Sequence, residues 1–584
     1  MKKIIPLFML LIFSACQSIE SIPEAGVRIG DVQGCGHISP YANTKVSNVS
    51  GIVTHKFKNG FSMQSMIPDG LDCSSEGIFV LTGDYPEVLP GQMVSVDGLV
   101  NEYVAGNDSD HNLSRTEIIP SAIDIIKSNV TLPKPVKLAQ NKEQIPLNWI
   151  KEDPKFDITR NGLDYYESLE FMLVEISDGI VVSPKNSYNE FYVLPTDYIE
   201  KNVLSSDGAL LQMAEDENPE KIMIDTASSF TQKISVGDSL AAPITGIMVY
   251  EYANYRIWTM ANPSIKSNER DQVKVSPGSD SLTIVSYNIE NFSRFDDESK
   301  IKKIGCQVVQ ELGAPDIVVL QEVMDESGTQ DDQEISAEKT LQRITDSIRN
   351  CHGPVYTFID NPPINNQDGG IQGGNIRTVL LIRNDANIYY STGIRDVDGQ
   401  NTVISDFDHT SNPATLFTNE DVFWGTRKPI LWNFNWENQE FILIALHLVS
   451  QSAKSPDWGN IQPPENPEQW KREAQMMLIR DLVKKLLKEN RVRNIIVIGD
   501  MNDFPWSNTL RLLKDAGLVI LEDDPTENFS YIHEGNAFQF DYAVVSPNLA
   551  GHIEDYSILH INTLNDISKQ ASDHDPVFLE ISHR

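Results

Sequence analysis

The sequence has no apolar run long enough to cross a lipid bilayer. The longest near the amino terminus, residues 4–13, is too short, since a spanning helix needs about 20 apolar residues. The mature chain is therefore not expected to span a membrane. Cysteine is also scarce, with five among 584 residues, and no CxxC pair or Cys/His cluster has zinc-site spacing. This excludes the usual thiolate zinc sites.

Positive charge is under-represented, with 47 Lys and Arg against 83 Asp and Glu, for a net charge of −36. A surface of that charge repels polyanions at long range, which argues against a passive nucleic-acid binder but not against a metal-assisted nuclease. The 40% of hydrophobic residues is enough for folded domains, so disorder of the whole chain is excluded. A length of 584 residues predicts two to four domains.

The first residues are typical of an export signal. Two lysines precede the apolar residues 4–13, and the sequence Ser-Ala-Cys that ends at Cys16 resembles a bacterial lipobox. The resemblance implies a signal peptide over residues 1–16, lipidation of the Cys16 thiol, and a tether over residues 17–26. We expect an exported protein held to a bacterial cell-envelope membrane by this anchor only. An ordinary signal peptide and a secreted protein are the alternative.

Four cysteines remain if Cys16 carries lipid. Their even number in an exported chain allows disulfides, and their positions favour the pairs Cys35–Cys73 and Cys306–Cys351 within separate domains. Free buried thiols are the alternative.

Two β-rich regions come first. Over residues 27–130, short β-type runs alternate with turn residues, which predicts a small barrel or sandwich, and residues 131–265 repeat the pattern more weakly. The first region resembles the oligonucleotide-binding (OB) barrel that precedes the catalytic domain of secreted bacterial nucleases. Four aromatic residues of the two regions are either stacking platforms for bases or core residues. They are Phe61, Tyr103, Tyr252 and Tyr255.

A polar, turn-rich linker is predicted over residues 266–280, and the pattern then changes. Apolar strands alternate with helix-period segments over residues 281–584, which predicts a layered α/β domain. A long helix is expected over about residues 470–490, with Ala474, Leu478, Leu482 and Leu486 on one face.

Polar residues follow five of these apolar strands. They are Asn288, Glu322, His447, the pair Asp500 and Asn502, and His574 within Ser572-Asp573-His574-Asp575-Pro576. Each one alone has an ordinary structural explanation as a cap, a surface charge or a half-buried histidine. Their joint placement at strand ends instead predicts one metal-dependent hydrolase site.

The motifs resemble those of the endonuclease/exonuclease/phosphatase superfamily, in the expected order over residues 281–584. They are Tyr287-Asn288 to Phe292, Leu320-Gln-Glu322, Gly425-Thr-Arg427-Lys-Pro429, Ala445-Leu-His447, Gly499-Asp500-Met-Asn502, Phe540-Asp541 and Ser572 to Pro576. The resemblance implies a DNase I-like four-layered α/β sandwich, here preceded by two small all-β, OB-like modules.

The resemblance also implies a metal site. Glu322 would be the principal Mg²⁺ ligand with Asn288 beside it, and Asp573 would face the metal side. Hard cations prefer such oxygen ligands. Mn²⁺ or Ca²⁺ could take the place of Mg²⁺.

The remaining motif residues receive catalytic roles from the same resemblance. Asp500, with Asn502, would position or deprotonate the attacking water, while His447 and His574 would donate hydrogen bonds or move protons. Asp541 would orient His574. Two arginines, Arg427 and in second place Arg377, are the candidate phosphate-binding residues.

The substrate is less well defined than the chemistry, because the superfamily shares one phosphate-cleaving machinery. The OB-like modules, the export signal and basic residues near the expected cleft favour nucleic acid, with extracellular DNA first. The alternatives are a phosphodiesterase of sphingomyelin, inositol phosphate or another lipid or sugar phosphate, and an inactive surface nucleic-acid-binding lipoprotein. No protein partner is predicted.

Overall fold

The computed structural model describes residues 26–139, 144–390, 412–452, 454–522 and 524–583. The predicted signal peptide, Cys16 and almost all of the tether lie outside the described residues. No helix of the described ranges has the length and apolarity needed to span a bilayer.

The first module is a closed five-stranded barrel in the order β1-β2-β3-β5-β4. Its elements are α1 (Ile29–Gln33), β1 (Lys45–Phe57), β2 (Gly60–Gln64), β3 (Gly77–Leu81), β4 (Met93–Val104) and β5 (Ser114–Lys127), with a 3-10 turn at Asp108–Asp110. Burial alternates along β4, because a strand with one face in a barrel core buries every second side chain. A disulfide joins Cys35 to Cys73, as predicted.

The second module contains a nine-stranded sheet, ordered β14-β11-β8-β9-β10-β13-β12-β7-β6. Its elements are β6 (Val136–Leu138), α2 (Gly162–Glu167), β7 (Leu173–Ile176), β8 (Gly179–Val181), β9 (Glu190–Pro195), a 3-10 helix (Thr196–Lys201), β10 (Ile222–Asp225), β11 (Ser239–Leu240), β12 (Ile244–Glu251), β13 (Asn254–Thr259) and β14 (Ile265–Lys266).

The connectivity of the second module repeats that of the first. Strands β7 and β8 are separated only by Ser177 and Asp178, so together they correspond to β1 of the barrel. The order β8-β9-β10-β13-β12-β7 then matches β1-β2-β3-β5-β4, and β10 runs parallel to β13 as β3 runs parallel to β5. The prediction of two all-β modules is therefore confirmed, with β6, β11 and β14 added at the edges of the second.

The two modules pack against each other through the β2–β3 face of the barrel. Phe79 of that face stacks on Phe171 of the second module at 5.3 Å, and the Gln64 side-chain oxygen accepts a hydrogen bond from the Leu173 amide. A side chain at Gly77 would collide with the Phe171 backbone, which explains the glycine there. The face on which OB barrels commonly hold oligonucleotides is thus covered.

The aromatic residues singled out in the sequence divide evenly between core and surface. Phe61 and Tyr255 are buried, whereas Tyr103 and Tyr252 are exposed. Of the four, only the second pair is accessible for base stacking.

The carboxy-terminal domain begins with β15 and has no helix or strand between Lys266 and Ser281, all of which are described residues. Its strands are β15 (Ser281–Phe292), β16 (Ile317–Val323), β17 (Tyr356–Ile359), β18 (Arg377–Arg383), β19 (Ile388–Tyr389), β20 (Ala414–Thr415), β21 (Ile430–Trp436), β22 (Gln439–His447), β23 (Asn494–Asp500), β24 (Val519–Ile520), β25 (Tyr531–His533), β26 (Asn536–Phe538), β27 (Asp541–Val545), β28 (Ile553–Ile558) and β29 (Val577–Ser582). Its helices are α3 (Glu298–Gln310), α4 (Glu338–Asn350), α5 (Gln469–Glu489), α6 (Asn508–Asp515) and α7 (Pro547–Ala550), with a 3-10 turn at Asp421–Phe423.

Two sheets form the centre of this domain, in the orders β17-β18-β16-β15-β29-β28 and β19-β21-β22-β23-β27-β24. Alternate residues of β15 face two different cores. Leu282 and Ile284 join the core between the sheets, while Val285 and Tyr287 join the core beneath α3 and α4. A third core joins the second sheet to α5 and α6. The predicted four layers are confirmed, and a disulfide between Cys306 and Cys351 ties α3 to the end of α4, as predicted.

Helix α5 has the predicted length, but its predicted face is only partly the buried one: Leu486 is buried, whereas Ala474, Leu478 and Leu482 are half-buried. Its apolar buried residues are Met476, Ile479, Val483 and Leu486, and Arg472 and Gln475 are buried with them. The reason is that both polar side chains bind loops next to the polar cluster described below.

Candidate active site

Polar residues from both central sheets meet at one edge of the domain. His447 is in register with Asp500 across β22 and β23, and Asp500 is in register with Asp541 across β23 and β27. In the other sheet, Asn288 and Glu322 lie on the adjacent parallel strands β15 and β16. The two sheets pack face to face, so these strand ends form one cluster.

The side chain of Asn288 joins the two sheets. Its Nδ2 atom donates to Oε1 of Glu322 and to Oδ2 of Asp500, each at 3.1 Å. The second carboxylate oxygen of Glu322 accepts the Asn291 amide at 2.8 Å. The carboxylates of Glu322 and Asp500 are therefore neighbours in space although they are far apart in the sequence.

His447 faces both carboxylates from the end of β22. Its Nε2 atom lies 3.7 Å from Oε1 of Glu322 and 3.6 Å from Oδ2 of Asp500. Burial, with the nearby Arg427 charge, holds the pKa of His447 well below its usual value. This histidine is therefore neutral near pH 7 and is able to accept a proton.

His574 is a hydrogen-bonded partner of Asp541. Its Nδ1 atom lies 2.7 Å from Oδ2 of Asp541, which also accepts the Ser530 hydroxyl at 2.7 Å. Burial alone would lower the pKa of His574, but the charges of Asp541, Asp573 and Asp500 outweigh burial and raise it well above its usual value. The ring is therefore protonated near pH 7.

Asp500 lies between the two histidines. Its Oδ2 atom is 4.0 Å from Nε2 of His574. Burial raises the pKa of Asp500 to about 7, with further contributions from the charges of Asp541 and Glu322. A carboxyl group that titrates near neutral pH is suited to general-base catalysis.

Two residues of the cluster adopt left-handed backbone conformations that side-chain-bearing residues rarely take. Glu322 has φ +61° and Asn502 has φ +51°. The Asn502 amide donates to Oδ1 of Asp500 at 2.9 Å, and its side chain donates to the Leu448 carbonyl. Such backbone strain is concentrated at functional sites.

The donor atoms of the cluster fit a hard divalent cation. Glu322 and Asp573 offer carboxylate oxygens, whereas Asn288 turns its Nδ2 towards Glu322 and its Oδ1 accepts the Glu290 amide, so it would have to turn over to act as a ligand. The half-buried Asp573 carboxyl has a raised pKa because of desolvation and because of the Glu322 charge. Carboxylates crowded in this way are stabilised by a shared cation. Ligand atoms of Asp500, Asp541 and His574 also lie within 4.8 Å of one another. His574 is hydrogen-bonded to Asp541, and its protonated ring would repel a cation, so the Glu322 side is the better cation site.

Of the two predicted phosphate-binding arginines, only Arg427 lies at the cluster. It is buried and interacts electrostatically with Glu322 and Asp500. One of its guanidinium nitrogens donates a hydrogen bond to the Leu448 carbonyl at 2.7 Å. The prediction for Arg377 was wrong. Its guanidinium is bound to the backbone of Asn375 and Ile335 and to Asp360, so it serves as a structural ion pair.

Comparison with known proteins agrees with this geometry. Residues 285–574 match the family model described as Endonuclease/Exonuclease/phosphatase family. The carboxy-terminal domain belongs to this family. It is thus a hydrolase domain that acts on ester bonds, with the metal-dependent phosphoesterase chemistry of the family. Residues 126–269 match a domain of unknown function, DUF8508, and no curated protein matches the chain significantly.

Several solved structures are similar to the hydrolase domain. One is an endonuclease/exonuclease/phosphatase family protein from Leptotrichia buccalis, with 14% identity, 52% of this chain and 100% of that chain covered, and a TM-score of 0.33. Humanized D. rerio TDP2 with 14 mutations has 13% identity and a TM-score of 0.33, and the match covers 52% of this chain and 99% of that chain. Truncated Caenorhabditis elegans TDP2 has 15% identity and a TM-score of 0.32, and the match covers 52% of this chain and 98% of that chain.

The hydrolase site contains residues that the sequence did not reveal. The ring of Tyr531 lies 4.9 Å from that of His574, and Tyr531 interacts electrostatically with Asp573 and Asp500. Ser530 binds Asp541. Neither residue belongs to a strand-end motif. Their only signal was a short polar stretch ten residues before Asp541.

Most of the basic residues expected to line the hydrolase cleft are committed to other contacts. Lys428 pairs with Asp368, and Arg383 pairs with Asp316. The fully buried Arg472 donates to the carbonyl of Ser450. These side chains shape the rim and do not provide a free cationic patch.

Proposed function

We propose that this protein is a divalent-metal-dependent phosphodiesterase that hydrolyses nucleic acid, with extracellular DNA as its first substrate. The observation that carries the proposal is the position of Asp500. Its carboxylate is hydrogen-bonded through Asn288 to Glu322 and lies within 4.0 Å of imidazole nitrogens of both His447 and His574. The proposed cation ligands, the proposed base and two histidines thus lie in one cluster.

The proposed mechanism follows from the charge states of these residues. Asp500, with a pKa of about 7, orients a water molecule and takes its proton as the water oxygen bonds to phosphorus and the bond from phosphorus to the leaving oxygen breaks. The protonated His574 donates a hydrogen bond to the negative charge that develops on the leaving oxygen and gives that oxygen a proton, and Asp541 holds the ring in place. Arg427 binds a non-bridging oxygen. A cation held by Glu322, with Asn288 beside it, Mg²⁺ in the first place, would polarise the phosphate and offset charge on its oxygens.

Exposed aromatic side chains beside the site support a nucleic-acid substrate. Trp506 is 43% exposed and stacks on Phe504 with parallel rings 5.0 Å apart, a few residues after Asn502. Exposed rings of this kind bind bases by stacking, worth about 1–3 kcal/mol each. Because few basic residues are free, the bound cation would supply most of the charge that offsets the phosphate backbone.

The proposal places the protein outside the cytoplasm. It rests on the export signal and on the lipobox-like sequence ending at Cys16. The two disulfides support it, because such bonds persist in oxidising compartments.

The test compares substrates under one set of conditions. Purified protein is incubated with plasmid, linear DNA, RNA, sphingomyelin and inositol phosphates in Mg²⁺, Mn²⁺, Ca²⁺ or EDTA. We expect DNA cleavage that EDTA abolishes. Cleavage of a lipid or inositol phosphate without nucleic-acid cleavage would replace this proposal with the lipid or sugar-phosphate alternative, and full activity in EDTA would refute the metal.

A further inference from the structure

We propose that the second β-module is a positioning element of the active site, which it holds from two sides. One contact is made through Trp458 and the other through the β25–β26 hairpin. The inference goes beyond the proposed function, and it rests on that function only for its kinetic readout.

In the first contact, a side chain of the hydrolase domain packs into the core of the second module. Trp458 belongs by sequence to the hydrolase domain, in the loop between β22 and α5, but its side chain is 2% exposed within the core of the second module. Its ring lies 5.6 Å from that of Tyr166 and 6.3 Å from that of Tyr255. The absence of a side chain at Gly162 makes room for it, since a Cβ there would lie 3.3 Å from the indole.

The backbone around Trp458 is held as firmly as its ring. The Tyr250 hydroxyl donates to the Trp458 carbonyl at 2.9 Å and accepts the Leu113 amide of the first barrel at 3.1 Å. The Asn460 amide donates to the His111 carbonyl at 2.7 Å. Both amino-terminal modules therefore hold this loop.

The same loop begins at the catalytic residues. Leu448 follows His447 directly, and its carbonyl accepts hydrogen bonds from both Arg427 and Asn502. Gln451 donates to the Asn502 carbonyl at 2.9 Å. A displacement of the loop would therefore move His447, Arg427 and Asn502 together.

The second contact lies on the opposite side, at His574. The Ala537 amide in β26 donates to the Leu210 carbonyl at 2.7 Å, and Asn536 bonds with the side chains of Gln212 and Asn218 of the second module. Strand β25 carries Tyr531, which forms a backbone bridge with His574.

The hairpin also supports the partner of His574. Ser530, just before β25, pairs with Phe538 across the hairpin and donates its hydroxyl to Asp541. The module thus supports the His447 side and the His574–Asp541 side at once. Small displacements of reacting groups cost up to about 10²-fold in rate. A module that fixes both sides therefore affects turnover without touching substrate.

The test uses the full chain with four substitutions. Trp458→Ala removes the indole from the core of the second module, and Tyr250→Phe removes only the hydroxyl that binds the Trp458 carbonyl. Asn536→Ala removes the side-chain hydrogen bonds between the hairpin and the second module. The control is Trp258→Ala, which removes an indole of equal size that packs against Phe57 between the two amino-terminal modules.

We expect Trp458→Ala to lower kcat by about 10²-fold. Tyr250→Phe and Asn536→Ala should each lower kcat by about tenfold. KM should be nearly unchanged in all three, and the control Trp258→Ala should have kinetics close to wild type. Hydrogen–deuterium exchange at Leu448 and Gln451 should accelerate in the first two variants, and exchange at Tyr531 in the third. Because exchange needs no substrate, it decides the proposal even if the wild-type protein cleaves no nucleic acid.

Three results would overturn the inference. The first is a wild-type kcat in both Tyr250→Phe and Asn536→Ala, which overturns the inference even if Trp458→Ala fails to fold. The second is an unchanged rate of hydrogen–deuterium exchange at the named amides. A rise in KM at constant kcat would identify the module as a substrate-binding surface instead of a positioning element.

Discussion

The imidazole of His574 lies between two carboxylates, with Nδ1 at 2.7 Å from Asp541 and Nε2 at 4.0 Å from Asp500. The ring therefore keeps its proton near neutral pH, and the Asp541 contact fixes which nitrogen faces the pocket. By contrast, His447 at the end of β22 is buried beside Arg427 and stays neutral. The two histidines at this site therefore have opposite charge states, with the protonated His574 suited to be the acid that complements Asp500 as the base.

Replacement of Asp541 tests this arrangement. In Asp541→Asn the charge that raises the pKa of His574 is lost, so that pKa falls. Since the protonated ring is the active form, activity should be lost at a lower pH than in wild type as pH rises. We also expect kcat to fall by about 10²–10⁴-fold. The measurement is kcat across the pH range, and an alkaline limb that does not move would contradict the assignment.

The two arginines should behave differently when each is replaced by alanine. Arg427→Ala should lower kcat/KM by about 10²-fold because a donor to the phosphate is lost. Arg377→Ala should instead lower the free energy of unfolding by about 3 kcal/mol, because it leaves Asp360 without its buried partner. Thermal unfolding and kinetics on both variants separate these effects. A catalytic defect in folded Arg377→Ala would restore its predicted phosphate role.

The metal requirement is tested at Glu322. In Glu322→Gln we expect the Mg²⁺ concentration for half-maximal activity to rise at least about tenfold, because a charged oxygen ligand is lost. Glu290→Gln is the matched control, since Glu290 lies nearby but pairs with Lys300 at the surface. Calorimetric Mg²⁺ titration measures the affinity directly. Equal effects of both substitutions would show that general acidity, and not Glu322, determines the affinity.

Much of the fold followed from the sequence because its signals are local. Strand alternation, the helix period of α5 and the order of the strand-end motifs depend on residues close together along the chain. Thus the barrel, the four layers and the positions of Glu322, His447 and Asp500 were predictable. The correspondence of the broken strand pair β7 and β8 to β1 of the barrel was not, since it depends on how distant strands pair in space.

Contacts between distant segments explain the errors. The sequence did not separate the roles of Arg377 and Arg427, and only the folded chain shows that Arg377 forms an ion pair with Asp360. The buried face of α5 was only partly predicted, because Arg472 is buried by loop carbonyls that the helix pattern does not contain. Tyr531 and Trp458 were missed for the same reason, since their partners come from other domains or distant strands.

The contact between the two amino-terminal modules should depend on pH. His37 of the first barrel is bound to Asp164 and Glu167 of the second module. Burial alone would lower the pKa of His37, but these hydrogen bonds raise it to about 9. A raised pKa stabilises the folded state below the unfolded pKa of about 6.5, and this stabilisation is lost as pH rises towards 9.

His37→Gln therefore should lower the melting temperature of the amino-terminal modules at pH 6 and have little effect at pH 10. The stabilisation at low pH is on the order of 3 kcal/mol. Calorimetric scans at the two pH values measure it. An equal loss at both would show that the histidine contributes by packing alone.

The role of Asp500 as the base is tested by single-turnover cleavage of a DNA duplex in Mg²⁺ by the wild type and by Asp500→Asn. This substitution keeps the size of the side chain and removes only its charge. We expect cleavage by the wild type and a rate at least about 10²-fold lower in the folded variant. Equal rates in the two proteins, or no cleavage by the wild type in any divalent cation, would contradict it.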